Sequence, residues 1–341
     1  MIQRVSIKDV AKLAGTSIAT VSRTLNAADH PVSEELRSRV LQASLALRYR
    51  PNRMAQNLRK KQTTAIGLLV RDIGDTYFSG IAKGVTHEAE MRGLMPLVCS
   101  SRRDHGLEIE FMHLLAQHQV AGIILTGSGC RNKEFSSKMF DTVREIQGMG
   151  IRVVACAHQD IPMPQVLVDN FVIGRAAFSK LYSLGHRDFA VISGEGDNAS
   201  TNMRIDGFVE AAHEAGVALE HEKDVYYGDF SWAHGRAAAC RILEKRPRAS
   251  AIFCTNDNIA IGVIRGLREM GCNPPEDMSV IGVGDIAMAP YTHPSLSTFH
   301  IPLGELGATA LMLIFDPKAD NDTRIFLDSS YMGRESVTRA K

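Results

Sequence analysis

Residues 6–26 read SIKDVAKLAGTSIATVSRTLN, a run in which apolar Ile7, Val10, Ala11 and Ala14 recur at helical spacing and then meet Gly15. Glycine tolerates the positive φ of a tight inter-helix turn, so the first helix is expected to end there. Ser17 is placed to cap a second helix, in which Val21 and Leu25 face the first. The opposite face carries Ile18, Ala19, Ser22, Arg23 and Asn26, short or hydrogen-bonding side chains that fit against the floor of a DNA major groove. Working outward, Val32-Ser33 opens a third helix. Ser33 is its expected cap, Glu34 and Glu35 favour its first turn, and Leu36, Val40, Leu41, Ala43, Leu45 and Leu47 are its expected buried side.

The charge distribution singles out the same end of the chain. Of the 341 residues, those up to Lys61 hold twelve Lys and Arg against four Asp and Glu, a net of +8. The remainder, with 27 basic and 34 acidic residues, carries −7. A basic head on a mildly acidic body points to phosphate as the head's partner. Residues 1–10 lack the apolar core of a signal peptide, and no apolar run long enough to span a membrane follows, so a cytoplasmic protein with no membrane partner is expected. The cysteines at 99, 130, 156, 240, 254 and 272 show no C-x-x-C spacing and no Cys/His cluster along the sequence, so neither a zinc site nor a disulfide framework is indicated.

Residues 6–26 resemble the signature of the lactose-repressor (LacI) family of bacterial regulators, with Thr16 where the family usually has Val and Ser6 where Thr is common. The resemblance continues through YRPNRMAQNL, residues 49–58, which is similar to the family's hinge helix. It implies that Ile18, Ala19 and Arg23 face base edges while Ser17, Thr20, Ser22 and Asn26 hold phosphates. It extends the DNA-contacting set to Ser6, Asn52, Arg53, Ala55 and Leu58. Arg23 can make a bidentate contact to guanine, whereas Ile18 and Ala19 offer apolar contact, so Arg23 is expected to dominate specificity. Pro51 and Asn52 start helices well, and the resemblance implies that Leu58, between Arg53 and Arg59, acts as a minor-groove wedge supplied by paired hinges.

After residue 62 the chain alternates apolar strands with amphipathic helices, which argues for doubly wound parallel α/β sheets. Strands are expected over residues 64–70, 95–100, 122–126, 152–156, 166–169, 189–193, 251–255 and 279–283, too many for one lobe. The reading is a head (1–50), a hinge (51–61) and a two-lobed body (62–341), one lobe holding about 62–160 plus 292–320 and the other 161–291 plus 321–341. The resemblance implies a body like a periplasmic sugar-binding protein, with a small-molecule effector between the lobes. Ligands of such sheets sit at the carboxyl ends of strands. The loops there hold Asp72, Asp75, Tyr77, Phe78, Asn198, Arg204, Phe230, Trp232, Asn256, Asp257 and Asp285, a set of planar hydrogen-bonders and aromatic faces suited to a sugar or sugar derivative. Arg204, Phe230 and Asn256 match effector-contact positions of the family. Where the family usually reads G-[FY]-D-[DN], this chain has Gly282-Val283-Gly284-Asp285, so either Asp285 replaces the customary aspartate or the ligand differs.

Two segments, 194–199 and 282–287, fit a loose G-x-G-x-x-A dinucleotide pattern, but neither is followed by a strand ending in an acid at the right distance. With no P-loop, nucleophile elbow or spaced metal motif, an enzyme is not expected, nor a cofactor or metal. An exported sugar-binding protein would have no use for the basic head. The expected molecule is a homodimeric repressor on a roughly palindromic operator, its DNA affinity set by the effector.

Overall fold

Local sequence signals decide where each helix of the head starts and stops. The computed structural model describes residues 5–25, 32–49, 63–246 and 248–341, which fall into two units, Met1–Thr63 and Thr64–Lys341. In the first, α1 (Ile7–Ala14), α2 (Ile18–Leu25) and α3 (Glu34–Ala46) surround a small core of Val10, Ala11, Ala14, Val21, Val40 and Ala43. Ser6 tethers Asp9 through its backbone N–H and its hydroxyl, at 2.9 and 2.7 Å. Gly15, at φ +60°, closes α1, and Arg39 of α3 pins the turn by donating to the Ala14 carbonyl at 2.6 Å. The Ser17 hydroxyl accepts from Thr20 N–H at 3.1 Å, the expected cap.

The third helix departs from expectation. Ser33 makes no side-chain cap bond, and Leu41 and Leu45 are 43% and 78% exposed. Three short helices enclose room for one face of α3 only. Val40 and Ala43, three residues apart, occupy it; Leu36 and Leu47 are partly buried, and the Leu41–Leu45 row points elsewhere. Asn26 and the expected hinge, with Asn52, Arg53, Ala55 and Leu58, lie outside the described residues.

The second unit repeats one topology twice. Its first lobe contains β1 (Ala65–Val70), α4 (Thr76–Met91), β2 (Met95–Ser100), α5 (His105–Gln117), β3 (Gly122–Leu125), α6 (Lys133–Gly148), β4 (Arg152–Ala155) and β5 (Gln165–Leu167). The second contains α7 (Asn170–Ser183), β6 (Phe189–Ser193), α8 (Ala199–Glu214), α9 (His221–Asp224), β7 (Val225–Tyr227), α10 (Trp232–Lys245), β8 (Ala251–Cys254), α11 (Asp257–Glu269), β9 (Ser279–Gly284) and β10 (Ser297–His300). The chain then returns to the first lobe for α12 (Leu303–Phe315) and β11 (Arg324–Phe326), and ends in the second with β12 (Ser330–Met332).

Strand order is β11-β5-β4-β3-β1-β2 in one sheet and β12-β10-β9-β8-β6-β7 in the other, all parallel except the pairing of β12 with β10. Each chain crossing falls later than expected. The first follows Leu167 rather than Asp160, because the short β5 stays in the first sheet. The second falls between His300 and Leu303 rather than near Tyr291, because β10 stays in the second. The third follows Phe326 rather than Asn321, because β11 pairs with β5.

Both sheets reverse winding direction at a single point, between β1 and β3 and between β6 and β8. Crevices at the carboxyl ends of strands open at such points. Glycine pairs then let helices touch backbone to backbone. A Cβ at Gly174 of α7 would lie 1.9 Å from the Arg204 carbonyl of α8, and one at Gly207 would lie 2.1 Å from the Phe171 carbonyl. This close approach brings Arg204 to its partner Asn170, the first residue of α7.

Candidate nucleic-acid interface and effector cleft

In the head, the outer side of α2 is built from what its inner side does not need. Val21 is fully buried, which turns Ser17, Ile18, Ala19 and Arg23 outward, all four exposed, with Thr20 and Ser22 partly covered. Ile18 remains 40% exposed. The Ser17 and Thr20 hydroxyls share a 2.9 Å hydrogen bond, so the cap also orients them. Ser6 is committed to Asp9, leaving it a structural role at the start of α1.

In the body, the segments following β1, β2, β7 and β8 bring residues of both lobes into direct contact. Asp75 caps α4 by accepting from Tyr77 N–H at 3.0 Å. Its carboxylate also accepts from Arg103 at 3.1 Å and, across the lobes, from Asn258 Nδ2 at 3.1 Å. Burial raises the Asp75 pKa, an effect opposed by the Tyr77 N–H, Arg103 and Asn258. Arg103, at φ +61°, lays its guanidinium 4.4 Å from the centre of the Phe230 ring in the other lobe and 5.6 Å from Phe78 in its own. Trp232 donates its indole N–H to Asn258 Oδ1 at 3.1 Å. A continuous polar and aromatic path thus runs from Trp232 through Asn258, Asp75 and Arg103 to Phe230.

Beneath this path Arg204 is 4% exposed. It donates through Nε to Asn170 Oδ1 at 2.7 Å and through Nη1 to the Thr255 carbonyl at 2.6 Å. The rest of its guanidinium faces Tyr77 of the first lobe. Burial lowers the arginine's pKa and raises the tyrosine's, and the two groups' mutual attraction opposes both shifts. Asn198 and Asn256 are helix caps, accepting from Thr201 N–H at 3.1 Å and Ile259 N–H at 2.9 Å. Asp72 accepts from Gly74 N–H at 2.9 Å in the loop before α4.

Two of the expected acids are committed elsewhere. Asp285, at φ +54°, pairs with Arg334 at 2.6 Å and His300 at 3.0 Å, fastening the end of β9 to β10 and to the segment after β12. Asp257, 1% exposed, accepts from the Thr298 hydroxyl at 2.6 Å and Ile286 N–H at 2.9 Å. Its carboxylate lies where a Cβ at Gly282 would sit, 2.3 Å away. The second dinucleotide-like glycine pattern is therefore explained by this internal packing, and Gly194 of the first by the Phe230 ring lying over it.

Burial pushes Asp257 up to about 6 from 3.8, against the hydrogen bonds from Thr298 and Ile286. A raised carboxyl pKa means that the folded state holds the proton more tightly than the unfolded one. The associated stability is complete below about pH 4, falls as pH rises to about 6, and is lost above it, a change of about 3 kcal/mol. Asp257→Asn is therefore expected to flatten the fall in stability between pH 4 and 6 relative to wild type, as read by urea unfolding at closely spaced pH values. Equal slopes in the two proteins would contradict this assignment.

Sequence reasoning missed Arg103, Asn258, Asn170 and Thr255. Arg103 follows β2 in the run RRDH and Asn258 follows β8 in the run NDN, both at strand carboxyl ends, but neither run says which member turns toward the other lobe.

Residues 6–52 match the bacterial regulatory proteins of the lacI family, and residues 178–337 match a periplasmic binding protein-like domain. The HTH-type transcriptional repressor PurR of Pectobacterium carotovorum subsp. carotovorum is 31% identical over 91% of this chain and 89% of its own length. Among solved structures, a lac repressor dimer bound to operator and an anti-inducer superposes with a TM-score of 0.86 at 23% identity, covering 98% of this chain and all of that one. The transcriptional regulator CelR in complex with cellobiose is 29% identical, with a TM-score of 0.70 over 98% of this chain and all of CelR.

Proposed function

Because the chain belongs to the lacI family of bacterial regulatory proteins, we propose that it is a repressor that reads its operator with α2 and is controlled by a sugar or sugar derivative bound between its lobes. The observation that carries the regulatory half is the set of direct contacts across the cleft: Asp75 to Asn258, Arg103 to Phe230 and Arg204 beside Tyr77. A ligand entering there must replace those contacts with its own, and so shifts the balance between lobe arrangements by the difference. Phe78, Phe230 and Trp232 supply apolar faces, and the carboxylate, amides and guanidinium groups supply paired hydrogen bonds, as a pyranose needs. The cellobiose carried by CelR supports the same class. Asp285, tied to Arg334 and His300, does not stand in for the carboxylate customary in the family, and we infer a hydroxyl pattern different from that read by relatives that retain it.

Recognition by α2 suits two heads on half-sites about one helical turn apart, hence a homodimer on a near-palindrome. A DNA reader works where the chromosome is, which supports a cytoplasmic location. Among the described residues, no helix is long and apolar enough to cross a membrane.

The test is thermal unfolding of the full chain against sugars, sugar acids and nucleosides. A cleft ligand at a hundredfold excess over its Kd is expected to stabilise the native state by about 2.7 kcal/mol, visible as a rise in Tm of the body. A shift by nucleosides alone would overturn the sugar assignment.

A further inference from the structure

Beside the effector cleft the two lobes make a second, separate contact. Arg131 N–H donates to the Asp197 carbonyl at 3.0 Å and Ala199 N–H to the Gly129 carbonyl at 3.0 Å, so Cys130 of the first lobe and Asn198 of the second face each other as a small antiparallel bridge. This bridge fixes Cys130 next to Asp197. His105, the first residue of α5, completes the group. Its ring stacks on Phe135 with centroids 3.9 Å apart and planes 13° apart, so its orientation is held by packing. One ligand atom from each of His105, Cys130 and Asp197 lies within 4.8 Å of the other two.

We propose that His105, Cys130 and Asp197 form a site for a thiophilic divalent cation, with zinc the best fit, that ties the two lobes together. Sulfur, imidazole and carboxylate are the donor types zinc accepts, at about 2.3, 2.0 and 2.0–2.2 Å, and three protein ligands leave one tetrahedral position for water. Those bond lengths place ligand atoms about 3.5 Å apart, so the three side chains must close by about 1 Å, within the reach of small side-chain rotations. Burial and then the Asp197 carboxylate push the Cys130 thiol up against the Asn132 N–H and Arg71, so the thiolate forms with the cation, which displaces the proton on binding. Two of the three ligands, His105 and Asp197, are partly exposed, and His105 also borders a surface groove of about 200 Å³ with Asn132 and Phe135. The three ligands stand far apart in the sequence, behind three different strands, so no spacing motif announces them.

Cobalt(II) titration of the full chain reads the site directly, because a thiolate ligand gives cobalt a near-ultraviolet charge-transfer band. One equivalent per chain, displaced by zinc, is expected. Cys130→Ser should abolish the band, and Asp197→Asn should keep it while weakening affinity about tenfold or more. Metal-free thermal unfolding checks that each variant folds, and His105→Gln, a change at a partly exposed position, serves if Cys130→Ser does not. Absence of the band in wild type, or its persistence in Cys130→Ser, would overturn the site. Unchanged affinity in Asp197→Asn would overturn the link between lobes.

Discussion

Arg23→Ala will weaken operator binding by about 1–3 kcal/mol, roughly 5- to 150-fold, and relax the preference at one base pair in each half-site. The size follows from how little else on α2 reads sequence. Its guanidinium is exposed and can grip the two acceptors of a guanine edge, while Ile18 and Ala19 offer contact without a donor or acceptor. The variant should not disturb the head, because the core of Val10, Ala11, Ala14, Val21, Val40 and Ala43 excludes Arg23. A titration at fixed salt against the cognate and a single-base-changed duplex separates the two effects, since loss of general phosphate attraction would weaken both equally. Unchanged affinity and unchanged discrimination would show that another residue reads the base.

Arg204→Ala will remove the effector response and also cost the body about 2–6 kcal/mol. Both consequences come from the same atoms. Asn170 and the Thr255 carbonyl are buried acceptors satisfied by this guanidinium at 2.7 and 2.6 Å, and truncation leaves them unpaired, at about 1–3 kcal/mol each. The charge facing Tyr77 across the lobes disappears with them. Operator binding is expected to persist in folded protein, because Arg204 belongs to the body and the head is a compact unit of its own. Tyr77→Phe keeps the ring and deletes only the hydroxyl, so it isolates the contribution to ligand response if Arg204→Ala proves too unstable. A variant of either kind that still responds in full would remove this pair from the effector site.

The head was readable because its signals are local. Gly15 and Ser17 act within one turn of themselves, and Val21 faces inward whatever follows. The third helix was not fully readable, since Leu41 and Leu45 satisfy the same periodicity as the buried Val40 and Ala43, and only the room left by α1 and α2 chooses between them. In the body, the buried apolar strands announced themselves even where short, as at β3, β4 and β8, but β7, β10, β11 and β12 mix polar or exposed residues into three or four positions, too few for periodicity to register. Missing β10 and β11 displaced the expected lobe crossings. The cleft was legible as a set of loops rather than as a set of contacts. Arg204, Phe230 and Asp75 meet residues of the other lobe or its margin, whereas Asp257 and Asp285 turn into the second lobe, a choice made by Thr298 and His300 of β10 and by Arg334 after β12, all far along the chain.

The claim on which the account depends is that ligand in the cleft and DNA on the head are coupled in one chain. Coupling of this kind is reciprocal, with a usual size of about 5- to 150-fold in affinity. The direct measurement is an operator titration of the full-length wild type, at constant salt, with and without a sugar that raises its melting temperature. A change of operator Kd in that range, matched by an equal change in sugar affinity when operator is present, is the predicted result. A sugar that stabilises the body yet leaves operator affinity unchanged would contradict it.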